Sequence, residues 1–128
     1  MTSRNVSSRP LTELQQAILN FIWSKESATA DQVREGLRAA HPLKDSSVRT
    51  LLRRLEARGF IRHEVMTGNT FVYRASVPAT GVAARAVRHI IERFCAGSVE
   101  QFLVGMVDEK VISRREIQRL ARKVRKHT

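Results

Sequence analysis

The sequence has a single cysteine, Cys95, which excludes a disulfide framework and any CxxC metal or redox pair. It has no long apolar run: the stretch from Phe102 to Val107, even with its glycine counted, is far short of the roughly 20 residues that span a bilayer. The opening "MTSRNVSSRP" is polar with no apolar segment behind it, so it reads as a flexible tail over residues 1–10 and not as a signal peptide. A reducing cytoplasm is the expected compartment. GxSxG, P-loop and GxGxxG motifs are all missing, and the serines and carboxylates fall at helix starts and on polar faces instead of forming a nucleophile, base and orienter. No enzyme, catalytic residue or cofactor is expected. His41, His63, His89 and His127 show no HxxxH spacing and no neighbouring cysteine, so no metal site is expected either. Cys95 reads as a small buried hydrophobe. No internal repeat or low-complexity tract is present.

Acidic residues are scarce, with 12 Asp and Glu against 23 Lys and Arg, a net charge of +11 in 128 residues. Such a field favours polyanionic partners, nucleic acid first and an anionic membrane surface second. With 42% hydrophobic and 27% charged residues the chain lies inside the soluble globular range, and its length allows one ordinary domain or two small ones.

What is present in abundance is the capping box, in which Ser or Thr and a Glu or Gln three residues on satisfy each other's amide donors. Thr12 with Gln15 opens a helix over about 12–25 whose Leu14, Ile18, Phe21 and Ile22 share one face. Thr29 with Gln32 opens a second over about 30–40, with Val33 and Leu37 one turn apart and His41-Pro42 as its stop. Asp45 is expected to cap a third, in which Val48, Leu51, Leu52 and Leu55 form an apolar stripe and Gly59 gives the left-handed end. The period then changes. In "FIRHEVMTGNTFVYRASV" branched and aromatic residues alternate with polar ones around a Gly-Asn turn, predicting strands near 60–66 and 70–76.

Three helices followed by a hairpin is the order of a winged helix-turn-helix domain, placed at 11–77, with Pro78 and "PATG" as its boundary. Residues 78–128 predict three more helices: a long one running to Gly97, a short one capped by Ser98 with Gln101, and a last one capped by Ser113 with Glu116. A piece this small buries too little surface alone, so its apolar faces are expected to meet a second chain in a homodimer. Ile90, Ile91, Phe94, Phe102, Leu103, Leu120 and Val124 are the expected dimerisation positions. The fold class is therefore mainly α with a small antiparallel hairpin, a winged domain plus a helical dimerisation domain.

In "SSVRTLLRRLEARGFI" the leucine stripe leaves Ser46, Ser47, Arg49, Thr50, Arg53 and Arg54 on other faces. Arginine bonds guanine through O6 and N7, hydroxyls reach phosphates or base edges, and a threonine methyl touches thymine, so these residue types suit readout in a major groove. Arg49 and Thr50 are the expected base readers. Asn69, Thr70 and Arg74 of the hairpin suit phosphate and sugar contacts. The basic last helix, with Arg114, Arg115, Arg119, Arg122, Lys123, Arg125 and Lys126 against Glu116, reads as a solvated face.

"LTELQQAILNFIW", "SSVRTLLRRLEARGFI" and the hairpin after them resemble the penicillinase-repressor family of BlaI and MecI over nearly the whole chain beyond residue 10. Its most specific parts are "VRTLLRRL" with the "GFI" strand entry, and Trp23 closing "NFIW". The resemblance implies a homodimeric bacterial repressor on an inverted-repeat operator of double-stranded DNA, acting at the nucleoid in the cytoplasm. It also implies one of two release routes: proteolysis in the C-terminal domain through a β-lactam-sensing membrane protease as signalling partner, or copper loading of a cysteine motif in the CopY branch. Residues 113–128 hold no cysteine, which disfavours copper. The Asn-Phe cleavage bond of the proteolysed members aligns, through "MVDEKVIS", with Gly105-Met106, and neither residue matches. The other readings are a basic nucleoid- or RNA-binding architectural protein without sequence choice, and a membrane-surface or protein-interaction module.

Overall fold

In the computed structural model, which describes residues 9–127, the elements follow in the order α1 (Glu13–Lys25), β1 (Ala28–Thr29), α2 (Ala30–Leu37), α3 (Asp45–Ala57), β2 (Ile61–Met66), β3 (Thr70–Ala75), α4 (Ala79–Phe94), α5 (Val99–Asp108) and α6 (Arg114–His127). The expected tail over 1–10 lies outside the described residues apart from Arg9 and Pro10. Two compact units divide after Arg85. The first reaches beyond Pro78 because Val82 packs against its core.

The helix starts form by local chemistry. The Thr12 hydroxyl accepts from the Gln15 amide and the Thr12 amide donates to Gln15 Oε1, both at 3.1 Å. Thr29 and Gln32 repeat the exchange at 3.1 and 2.8 Å. Ser113 and Glu116 do so at 3.0 and 2.8 Å, and the bonds to Ser113 hold the Glu116 carboxyl below its ordinary range. At Ser98 only the hydroxyl half of the expected exchange is made, from the Gln101 amide.

Two helix boundaries differ from expectation. Asp45 is not the cap of α3: extended Lys44 precedes the helix and its carbonyl takes the Ser47 and Val48 amides at 3.1 Å. Asp45 is instead the first helical residue, and its carboxylate turns to Arg49. α2 ends at Leu37, three residues before the expected stop, because Leu37 is its last buried side chain and the exposed Ala39 and Ala40 have nothing to cover. The His41 amide closes that end on the Leu37 carbonyl at 2.7 Å.

The hairpin pairs Ile61 with Ala75 through Met66 with Thr70, and one further bond joins the Ser76 amide to the Phe60 carbonyl at 2.8 Å. Gly68 and Asn69 turn the chain with φ of 78° and 60°, which the hairpin twist requires and which Gly and Asn adopt most readily. The sheet has a third strand that was not expected. β1 pairs with β3, Ala28 opposite Tyr73, giving the antiparallel order β1-β3-β2.

One core joins these pieces: Ile18, Leu19 and Ile22 of α1, Val33 of α2, Val48, Leu52 and Leu55 of α3, and Ile61 of β2 are all essentially sealed from solvent. Where α1 meets α2, a Cβ at Gly36 would stand 2.1 Å from the Phe21 ring, so any other residue there displaces that ring. The Trp23 indole N–H donates to the Val77 carbonyl at 2.9 Å, tying the end of α1 to the chain just past β3.

The second unit is different in kind. Ile90, Phe94, Val99, Leu103, Val104, Val111, Leu120 and Val124 are all exposed, Phe94 by 73%. Ile91, by contrast, is buried at 8% and Phe102 is half-buried, so of the seven expected dimerisation positions these two fill their own subunit. Cys95 is half-buried rather than enclosed. Among the described residues no helix is long and apolar enough to cross a membrane.

Candidate nucleic-acid interface

With Val48, Leu52 and Leu55 locked in the core and Leu51 half-buried beside them, helical spacing sorts the polar residues of α3 into three rows. Ser46, Thr50, Arg53 and Ala57 point directly away from the core. Asp45, Arg49 and Glu56 line the flank toward the hairpin. Ser47, Arg54 and Arg58 line the opposite flank, toward α1. The six expected readers therefore divide: Ser46, Thr50 and Arg53 share the outer side, Arg49 borders them on the hairpin flank, and Ser47 and Arg54 turn toward α1.

Each row has its own electrostatics. Arg49 Nε donates to Asp45 at 2.9 Å, one helical turn back, and this bond raises the arginine's proton affinity further above neutrality. Arg53 and Arg54 are exposed, and neither has a carboxylate partner among the described residues. Both Glu56 carboxylate oxygens stand 2.8 Å from His63 Nδ1 of β2, and this contact fastens the hairpin to α3. His63 stacks on Phe71 at 4.2 Å between ring centroids, and Tyr73 stands 5.9 Å from His63. Burial, and then the Glu56 charge, push the Tyr73 phenol upward against the opposing Arg49 and Arg53. Sequence reading missed this aromatic cluster. Its signal was the hairpin register, which sets His63 opposite Tyr73 and Val65 opposite Phe71 on one face.

The wing residues are also divided. Asn69 and Thr70 are exposed at the tip. Arg74 lies four residues from Thr70, on the other face from Tyr73, and Nε donates to Glu64 at 2.9 Å. It joins neither the tip nor the outer row of α3. Gly105 and Met106 lie half-buried within α5, the Gly105 carbonyl taking the Glu109 amide at 2.9 Å and the Met106 carbonyl the Val111 amide at 2.8 Å. That peptide bond is helical and would have to unwind before any protease could accept it. Among the described residues no group of three or more His, Cys, Asp or Glu is placed to hold a metal ion.

A helix seated on two others, with a basic and hydroxylic outer row and an aromatic hairpin fastened along its flank, can enter a major groove while the hairpin follows the backbone. That is the winged helix-turn-helix class. The chain belongs to the penicillinase repressor family, whose pattern matches residues 11–126, a family of transcriptional repressors and not of enzymes. It is 24% identical over 103 residues to the methicillin resistance regulatory protein MecI of Staphylococcus aureus strain N315, covering 80% of this chain and 83% of MecI. It is 25% identical over 114 residues to an uncharacterized 16.5 kDa protein of Latilactobacillus sakei, covering 89% and 77%. Among solved structures, the DNA-binding domain of the repressor BlaI superposes with a TM-score of 0.51 at 20% identity, over 59% of this chain and 90% of that one. The complex structure of hsRosR-S4 superposes at 0.54 and 15%, over 80% and 90%. Both likenesses are of fold.

Proposed function

We propose that the chain represses transcription as a homodimer, each copy placing the outer row of α3 in the major groove of one half of an inverted-repeat DNA operator. The observation that carries this reading is the outer side of α3, where Ser46, Thr50 and Arg53, with Arg49 on the bordering flank, stand exposed or half-exposed on a helix whose opposite side is wholly committed to the core. The names of MecI, a regulatory protein, and of the BlaI DNA-binding domain support the same reading. Base choice falls to Arg49, Thr50 and Arg53, and phosphate contact to Asn69 and Thr70 at the wing tip. Arg74 adds its charge more weakly, since Glu64 already neutralises it.

Dimerisation is assigned to the exposed apolar residues of the second unit, Ile90, Phe94, Leu103, Leu120 and Val124, with Ile91 and Phe102 supporting them from within. Repression is released by whatever parts these surfaces. The setting is the bacterial cytoplasm, at the nucleoid.

Arg49→Ala and Arg53→Ala are each expected to cost about 1–3 kcal/mol at one base pair per half-site and to relax choice there. Gel-shift titration on an operator and on random duplex at one salt concentration checks this. Equal losses on both duplexes would reassign the arginine to phosphate contact.

A further inference from the structure

The flank of α3 that faces α1 carries a feature the groove-reading row does not use. At the start of α1 and the end of α3 an open cleft is lined by Arg9, Thr12, Gln15, Arg54 and Arg58, and no Asp or Glu lines it. Arg54 and Arg58, neither in a salt bridge among the described residues, thus border one space that no carboxylate lines. Glu13, close by in α1, points elsewhere, its carboxylate 3.9 Å from His41.

Arg58 is held in place by neutral groups alone. Nη1 donates to Gln15 Oε1 at 2.8 Å and Nη2 donates to the Arg9 carbonyl. The guanidinium lies over the Phe60 ring, 5.1 Å from its centroid. Gln15 is itself buried, and its Oε1 is fixed by the Thr12 amide, so the arginine is oriented by a group that cannot shift. Arg58 Nε is sealed from solvent and has no partner. Burial, and then repulsion from Arg9, weaken the half-buried arginine's hold on its proton. Arg54, one turn earlier on the same row, stands exposed beside it. The N-terminal end of α1 adds partial positive charge to the same space.

We propose that this cleft is a phosphate-binding site, in which Arg58 is the fixed donor, through the Nη hydrogens it does not give to Gln15 and Arg9, and Arg54 the mobile one that closes over the anion. Arginine matches the oxygens of a phosphate, and two arginines one helical turn apart that line the same cleft suit a single phosphate group better than an extended acidic surface. The group can come from two sources. One is the backbone of a duplex engaged by α3, which would run past this flank; that source rests on the function proposed above. The other is free phosphate or a phosphorylated small molecule, and it is independent of that function.

The test uses the full chain as wild type, Arg54→Gln, Arg58→Gln and, as a control away from the cleft, Lys25→Gln. Arg54 is exposed and makes no bond that holds the fold, so its variant carries the test even if Arg58→Gln loosens the start of α1. On random duplex, Arg54→Gln should lower the slope of log affinity against log salt by about 0.9 per chain, and Lys25→Gln should leave it unchanged, if a backbone phosphate is the occupant. In a second arm, inorganic phosphate is titrated at constant ionic strength against chloride while the thermal midpoint is read. A saturable rise in wild type that Arg54→Gln abolishes assigns the cleft to a free phosphate group. Either response supports the site and names its source. An unchanged slope together with no phosphate-specific rise overturns it. Wild type that binds no duplex at all would sink the proposed DNA reading, while the phosphate titration would still decide the cleft.

Discussion

A chain ending at Arg85 is expected to fold as a monomer and to lose most of the affinity for the proposed operator. It keeps the whole core, from Ile18 to Tyr73, together with Val82, which packs against that core from α4, and the Trp23 bond to Val77. It loses the unit whose Ile90, Phe94, Leu103, Leu120 and Val124 lie exposed. One α3 and one wing give a small contact. Two of them, held about 34 Å or a multiple apart by a dimer, let the second dock at high effective concentration, and such linkage contributes about 10²–10⁴ in affinity. Sedimentation should show the full chain as a dimer and the fragment as a monomer at the same concentration, and gel-shift titration should show the loss. A monomeric fragment that holds the operator as tightly as the full chain would remove dimerisation from the account.

Leu52→Ala is expected to lower the stability of the first unit by about 2–5 kcal/mol, a large part of the 5–15 kcal/mol typical of a domain. Leu52 is fully enclosed in the core that α1, α2, α3 and β2 share, and it stands on the inner side of the helix whose outer side carries Thr50 and Arg53. Removing it therefore leaves a cavity directly beneath the reading surface. Leu51→Ala, at a half-buried site one residue away, should cost less than half as much. Denaturant unfolding of the two variants measures the difference. Equal losses would mean that α3 is not seated as described.

Much of this was legible in the sequence because it is decided locally. The exchanges at Thr12, Thr29 and Ser113 depend on residues three apart, and the stripe Val48, Leu52, Leu55 on one helical period. What was not legible depends on partners distant in sequence. Strand β1 is two residues long, too short for any alternation to show, and it exists because β3 offers Tyr73 and Val72 an edge to pair. The end of α2 is set by where the core stops, not by Pro42. Ile91 and Ile90 are neighbours with the same chemistry, and only their orientation separates a buried residue from an exposed one. The place of Arg58 is likewise set at a distance. Its bond to Gln15, 43 residues away, is what draws it into the cleft.

The most direct measurement selects duplexes from the host genome with the full chain and compares the recovered sequence with a scrambled duplex of equal length at one salt concentration. The account predicts inverted repeats with half-sites about one helical turn, or a multiple, apart, bound at least on the order of 10³ more tightly than the scramble. It also predicts that Arg49→Ala with Arg53→Ala erases most of that ratio while leaving the scramble's affinity nearly unchanged. Recovery of unrelated sequences, bound no better than their scrambles, would contradict the account and leave a basic protein that holds DNA without reading it.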